Sequence, residues 1–141
     1  DFADSIQMAE REPSLTAPEV WVDVIVPVHN ASSTLDETIL SAIDQRIPEH
    51  LKPQIGCLHI AICCYNDGST DDSWDKLIKL KDLCVSRQKE KNDDFLRIQM
   101  ILGRGTVARG AGYARNRAVE LISTIETGGV DVSTHRRFLC M

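Results

Sequence analysis

Apolar and polar positions alternate between two periods along the chain. Three short runs, "VWVDVIVPV" (20–28), "LHIAICCY" (58–65) and "RIQMIL" (97–102), are rich in β-branched and apolar residues and predict strands. The first two are apolar enough to be covered on both faces. Between them the spacing turns helical. Leu35, Ile39, Leu40 and Ile43 fall on one face, Trp74, Leu77, Ile78 and Val85 on a second, and Ala114, Ala118, Leu121, Ile122 and Ile125 on a third. Ser32 or Ser33 is placed to cap the first helix and Ser69, Thr70 or Asp71 the second, with acidic residues in each opening turn. Strand and helix thus alternate three times. That order predicts an α/β fold, with a parallel sheet joined by right-handed crossovers and helices on both faces. In such sheets ligands bind outside the carboxyl ends of the strands.

Residues 1–19 are polar, contain two prolines and show no sustained period, so they read as a tail ahead of one domain over 20–141. "RIPEHLKPQIGC" (46–57) and "SRQKEKNDDF" (86–95) read as solvated surface loops. The chain lacks an initiator methionine and stops at "RRFLCM", where an apolar run has just begun, so it is expected to be a fragment or a processed product.

The 141 residues suit a single core, and a hydrophobic content of 43% with 26% charged residues is that of an ordinary globular protein. A net charge of −5 argues against general affinity for nucleic acid or an anionic membrane. No apolar stretch approaches the roughly 18 residues that span a bilayer. Cys57, Cys63, Cys64, Cys84 and Cys140 form no CxxC pair, and His29, His50, His59 and His135 show no zinc spacing. These cysteines are expected to be buried and reduced, which suits a cytoplasmic location.

Each strand end admits two readings. Pro27, Val28, His29 and Asn30 make either a stiffened binding edge or a strand terminus with an Asn turn. In "YNDGSTDD" (65–72), Asp67 and Gly68 make a turn and the hydroxyls a cap. Alternatively, Asp67 accepts a hydrogen bond from an imide N–H or a ribose hydroxyl while Gly68 lets the ligand approach. Across residues 95–119, through the third strand and the glycine-rich stretch after it, Arg97, Arg104, Arg109, Arg115 and Arg117 occur with no acidic residue. With Gly103, Gly105, Gly110 and Gly112 ahead of a helix, they suit a diphosphate or are a solvated basic loop. The glycines do not follow the first strand and so make no dinucleotide fingerprint, and there is no phosphate-loop motif.

Taken in order, "VIVPVHN", "DGSTD" and "ARN" resemble the signature elements of the family 2 glycosyltransferases of the GT-A fold, over about residues 20–140. "RGAGYARNRAV" and the late "FLC" are most similar to the eukaryotic β-1,3-N-acetylglucosaminyltransferase-like branch, associated with galactosylation of queuosine in transfer RNA. The resemblance implies a Rossmann-like nucleotide-sugar-binding half of a hexosyltransferase that takes a UDP-sugar donor. Pro27, Val28, His29 and Asn30 would line the nucleoside, Asp67 with Gly68 would read the uracil, and Arg109 and Arg115 would lie near the diphosphate. Asn66 stands where the family often has another aspartate.

The resemblance also implies a divalent cation, Mg²⁺ or Mn²⁺, held on the donor diphosphate by a DxD-type pair. No DxD occurs in this sequence. The metal ligands and the catalytic base are therefore expected outside it, with the chain inactive alone. Transfer RNA would be the acceptor if the narrower branch holds. The competing expectation is an α/β module that binds a nucleotide or a protein partner without catalysis.

Overall fold

A computed structural model of the chain describes residues 17–125 and the backbone of residues 135–140. The elements run β1 (Glu19–Val28), α1 (Ser32–Ile43), a 3-10 helix (Glu49–Gln54), β2 (Cys57–Asp67), α2 (Ser73–Lys91), β3 (Leu96–Gly105), α3 (Ala111–Glu120), a second 3-10 helix (Leu121–Thr124) and β4 (His135–Cys140). Most of the expected tail lies outside the described residues, and Glu19 already belongs to β1.

The four strands form one sheet in the order β3-β2-β1-β4, with every pair parallel. Chain order runs outward from β1 to β3 and then returns to the far side of β1. The direction of winding therefore reverses beside β1, which is where an open α/β sheet leaves a crevice at its carboxyl edge.

Two apolar layers flank the sheet, as expected. On one face Leu35, Ile39 and Ile43 of α1 and Leu77, Leu80 and Cys84 of α2 pack on Val28, Ile60, Ile62, Cys64, Ile98 and Met100. On the other, Ala114 and Ala118 of α3 pack on Ile25, Ala61, Cys63 and Tyr65. Adjacent residues of β2 thus serve opposite layers, as the period of two demands. Cys57, Cys63, Cys64 and Cys84 are buried, and burial pushes the thiol of Cys64 up to about 12.

The structure corrects four local expectations. The buried face of α2 runs through Ser73, Leu77, Leu80 and Cys84, leaving Ile78 and Val85 exposed. Leu77, Leu80 and Cys84 are spaced three and four apart and make the better stripe. The charged stretch to Lys91 continues α2, because Arg, Gln, Lys and Glu are strong helix formers and Lys89 and Lys91 favour its carboxyl end. Within 46–57, Ile47 is buried and residues 49–54 form a 3-10 helix. Finally, β3 extends through "GRG", pairing Gly103, Arg104 and Gly105 with Tyr65, Asn66 and Asp67. A Cβ at Gly105 would fall 2.5 Å from the Tyr65 hydroxyl, so glycine there makes room for the ring.

Candidate functional site

The first two connections after the strands are fastened to each other. Asp71 Oδ1 accepts from the backbone N–H of Ser73, 3.0 Å, and from its hydroxyl, 2.5 Å. Asp71 Oδ2 accepts from the backbone N–H of Ser32, 3.2 Å. Ser73 Oγ in turn accepts from the backbone N–H of Ala31, 3.0 Å. The Ser32 hydroxyl donates to Asp72. Neither helix has a side-chain cap from its own flanking residue, and α1 has no acidic residue in its first turn. The start of α1 is therefore capped from the loop after β2 and not by Ser32 or Ser33, whereas Asp71 caps α2 locally, as expected.

The hydroxyl and amide of Ser73 hold the Asp71 carboxyl below its ordinary range. A lowered folded value means its stabilisation is complete above the ordinary carboxylate range near pH 4 and is lost as pH falls through the lower value. Acid unfolding of Asp71→Asn should accordingly be shallower below about pH 4 than that of the parent. Superimposable acid curves would show that this carboxylate contributes nothing.

Asp67, at the end of β2, is 2% exposed yet faces a cleft. Its carboxylate accepts from the backbone N–H of Arg109, 2.9 Å to Oδ1 and 3.0 Å to Oδ2, and from that of Gly110, 2.8 Å to Oδ2. The end of the second strand thereby anchors the segment that leads into α3. Gly68 has φ 58°, and a Cβ there would lie 2.4 Å from Ala108 N. That space is filled by the chain itself, whereas the sequence suggested room for a ligand.

A cleft of about 320 Å³ lies at the carboxyl ends of β1 and β2. Pro27, Val28, His29 and Asp67 line it, together with Ala108, Gly110, Ala111 and Ala114. Of the other expected site residues, Asn30 is bonded to the loop after β2. Arg109 sets its guanidinium 5.3 Å from the centre of the Tyr113 ring, where Arg117 approaches to 5.1 Å. Arg115 is exposed on α3. Asn66 is buried and accepts from the Ser69 hydroxyl. Burial pushes the Tyr65 hydroxyl up, and its hydrogen bond with Tyr113 acts in the same direction.

Gly110 is among the glycines that the sequence offers to a diphosphate, whereas Ala108, Ala111 and Ala114 carry no such signal as ligand contacts. Their signal is in residue size: small side chains at the start of α3 leave a hollow between that helix and the end of β1.

A protein-family model described as glycosyl transferase family 2 matches residues 23–124. The chain belongs to that family. No solved structure matches it. The matched span runs from within β1 to the end of the second 3-10 helix and contains every residue of the cleft. As a family 2 glycosyltransferase domain the chain has a general role in glycosyl transfer, with a nucleotide-sugar donor and an acceptor as the family's substrates. No helix among the described residues is long and apolar enough to cross a membrane.

Proposed function

We propose that the cleft of this family 2 domain binds the nucleoside end of a UDP-sugar donor. Pro27, Val28, Ala108, Ala111 and Ala114 offer apolar walls for a planar base. Asp67 uses three acceptor positions on its loop bonds, out of about four on a carboxylate, so one remains for the imide N–H of uracil. The amino terminus of α3 carries partial positive charge, and with Arg109 it balances the diphosphate. A volume of about 320 Å³ is at the small end for ligand sites and suits the base and ribose, leaving the diphosphate and sugar outside. The observation that carries this reading is a buried carboxylate in the wall of an apolar cleft, at the carboxyl ends of two parallel strands.

Family members generally use a divalent cation. Among the described residues no three His, Cys, Asp or Glu side chains are grouped to hold one, and the sequence has no DxD. These residues do not fit a cation. The chain alone is accordingly expected to bind donor without transferring sugar. The narrower form of the proposal, a hexosyltransferase acting on transfer RNA, rests on "RGAGYARNRAV" and "FLC".

Titration of the labelled chain with UDP and with CDP tests the site. UDP is expected to shift the amides of His29, Asp67 and Gly110. CDP is expected to bind about tenfold more weakly, because cytosine presents an acceptor where uracil presents its imide N–H. Equal affinity for the two nucleotides would remove Asp67 from base reading, and unmoved amides would remove the site.

A further inference from the structure

Asn30 is the second residue after β1 and has a left-handed backbone, φ 46°. Its Oδ1 accepts from the backbone N–H groups of Thr70, 2.8 Å, and Asp71, 3.3 Å, and from the Thr70 hydroxyl, 3.3 Å. Its own backbone N–H donates to Ser69 Oγ, 2.9 Å. An amide oxygen has two lone pairs, and here the loop after β2 fills them. Turning the amide round would set its NH₂ against two backbone donors, so its orientation is fixed.

That orientation leaves Nδ2 of Asn30 3.4 Å from Nε2 of His29. On the other side of the ring, Nδ1 of His29 lies 2.8 Å from the carbonyl oxygen of Asp67. A carbonyl only accepts, so Nδ1 carries the proton. An amide NH₂ only donates, so Nε2 supplies the lone pair.

We infer that Asn30 is a positioning residue that holds His29 as its Nδ1–H tautomer, with both ring nitrogens engaged. His29 then meets whatever occupies the cleft with its carbon edge or ring face, neither giving nor taking a proton. This revises the place expected for Asn30, which acts on the cleft through His29 instead of lining it. The tautomer stands on the hydrogen bonds alone; the statement that the occupant is a nucleotide rests on the reading in the preceding section.

Long-range ¹H–¹⁵N correlation spectra of the full chain at neutral pH, without ligand, test the inference. His29 is expected to show a protonated Nδ1 and a bare Nε2, and a proton on Nε2 overturns the assignment. Asn30→Gly keeps a residue suited to positive φ and removes every side-chain bond. Asn30→Asp keeps acceptors for Thr70 and Asp71 and removes only the Nδ2 donor. Both keep the Asp67 carbonyl on Nδ1–H, so the change is expected at Nε2: Asn30→Asp sets a carboxylate oxygen there and draws a proton onto it while melting close to the parent, and Asn30→Gly leaves Nε2 open to solvent. If the ring pattern is unchanged in both variants, Asn30 does not set it and the proposal fails. On adding UDP, the carbon-bound ring protons are expected to shift while the nitrogen pattern stays. A nitrogen pattern altered by UDP would overturn the passive role of the ring. If UDP moves nothing at all, the nucleotide reading fails and the tautomer result is unaffected.

Discussion

Asp67→Asn is expected to lose both stability and preference for uridine nucleotides. The substitution keeps the size of the side chain and exchanges one acceptor oxygen for an NH₂ group. The two backbone donors of Arg109 and Gly110 now share one oxygen, or one of them faces another donor. Removing an acceptor from charge-assisted bonds at a buried position costs about 1–3 kcal/mol. Urea unfolding should therefore shift by that amount. A neutral amide also presents a donor to cytosine as readily as an acceptor to uracil, so the preference for UDP over CDP is expected to fall from about tenfold to near parity. Stability lost with the preference intact would make Asp67 an anchor for the loop and nothing more. Preference lost with stability intact would mean that its bonds to Arg109 and Gly110 carry little weight in solution.

Gly68→Ala is expected to be the more damaging change to the fold. An L-residue in the left-handed region costs roughly 1–2 kcal/mol before any contact is counted. Here the added Cβ would also lie 2.4 Å from Ala108 N and 2.7 Å from Val107 C, both backbone atoms. Side chains can rotate away from such a clash, whereas backbone can yield only by moving the segment that Asp67 anchors. A total above about 2 kcal/mol in urea unfolding is expected, with the amides of Arg109 and Gly110 losing protection against hydrogen exchange. Should the variant unfold at the parent's midpoint, the loop would not be packed on Gly68.

The sequence makes the strands and the first helix legible because their apolar residues do one job each. Ile39 is fully buried, and side chains of its kind are worth about 1.5–3 kcal/mol each when buried, more than a typical cap at about 1 kcal/mol. Periodicity reports the larger quantity, so α1 is found correctly even though its cap is not. In α2 the same signal is diluted, since Ile78 and Val85 are apolar without being buried and Cys84 is buried without looking strongly apolar.

The candidate site is legible where a residue contributes its own side chain to the cleft, as His29 and Asp67 do. It is not legible where the contribution depends on a partner some forty positions away. Nothing in "HNASST" announces that Asn30 bonds the backbone of Thr70, or in "GSTDD" that Asp71 serves Ser32. Such contacts come from register between strands, which neither segment carries by itself.

The capping of α1 from the loop after β2 bears on how the chain acquires its structure. The first residue of α1 bonds Asp71, 39 positions later, and the backbone of Ala31 bonds Ser73, 42 positions later. A twelve-residue helix is marginal in isolation, and the start of α1 finds these acceptors only after a closure of about forty residues has brought β2 beside β1. The first helix is thus unable to complete itself ahead of the second strand, and β1, α1, β2 and the start of α2 are tied into one cooperative unit. During synthesis, the opening turn of α1 stays frayed until residue 73 is free to reach it.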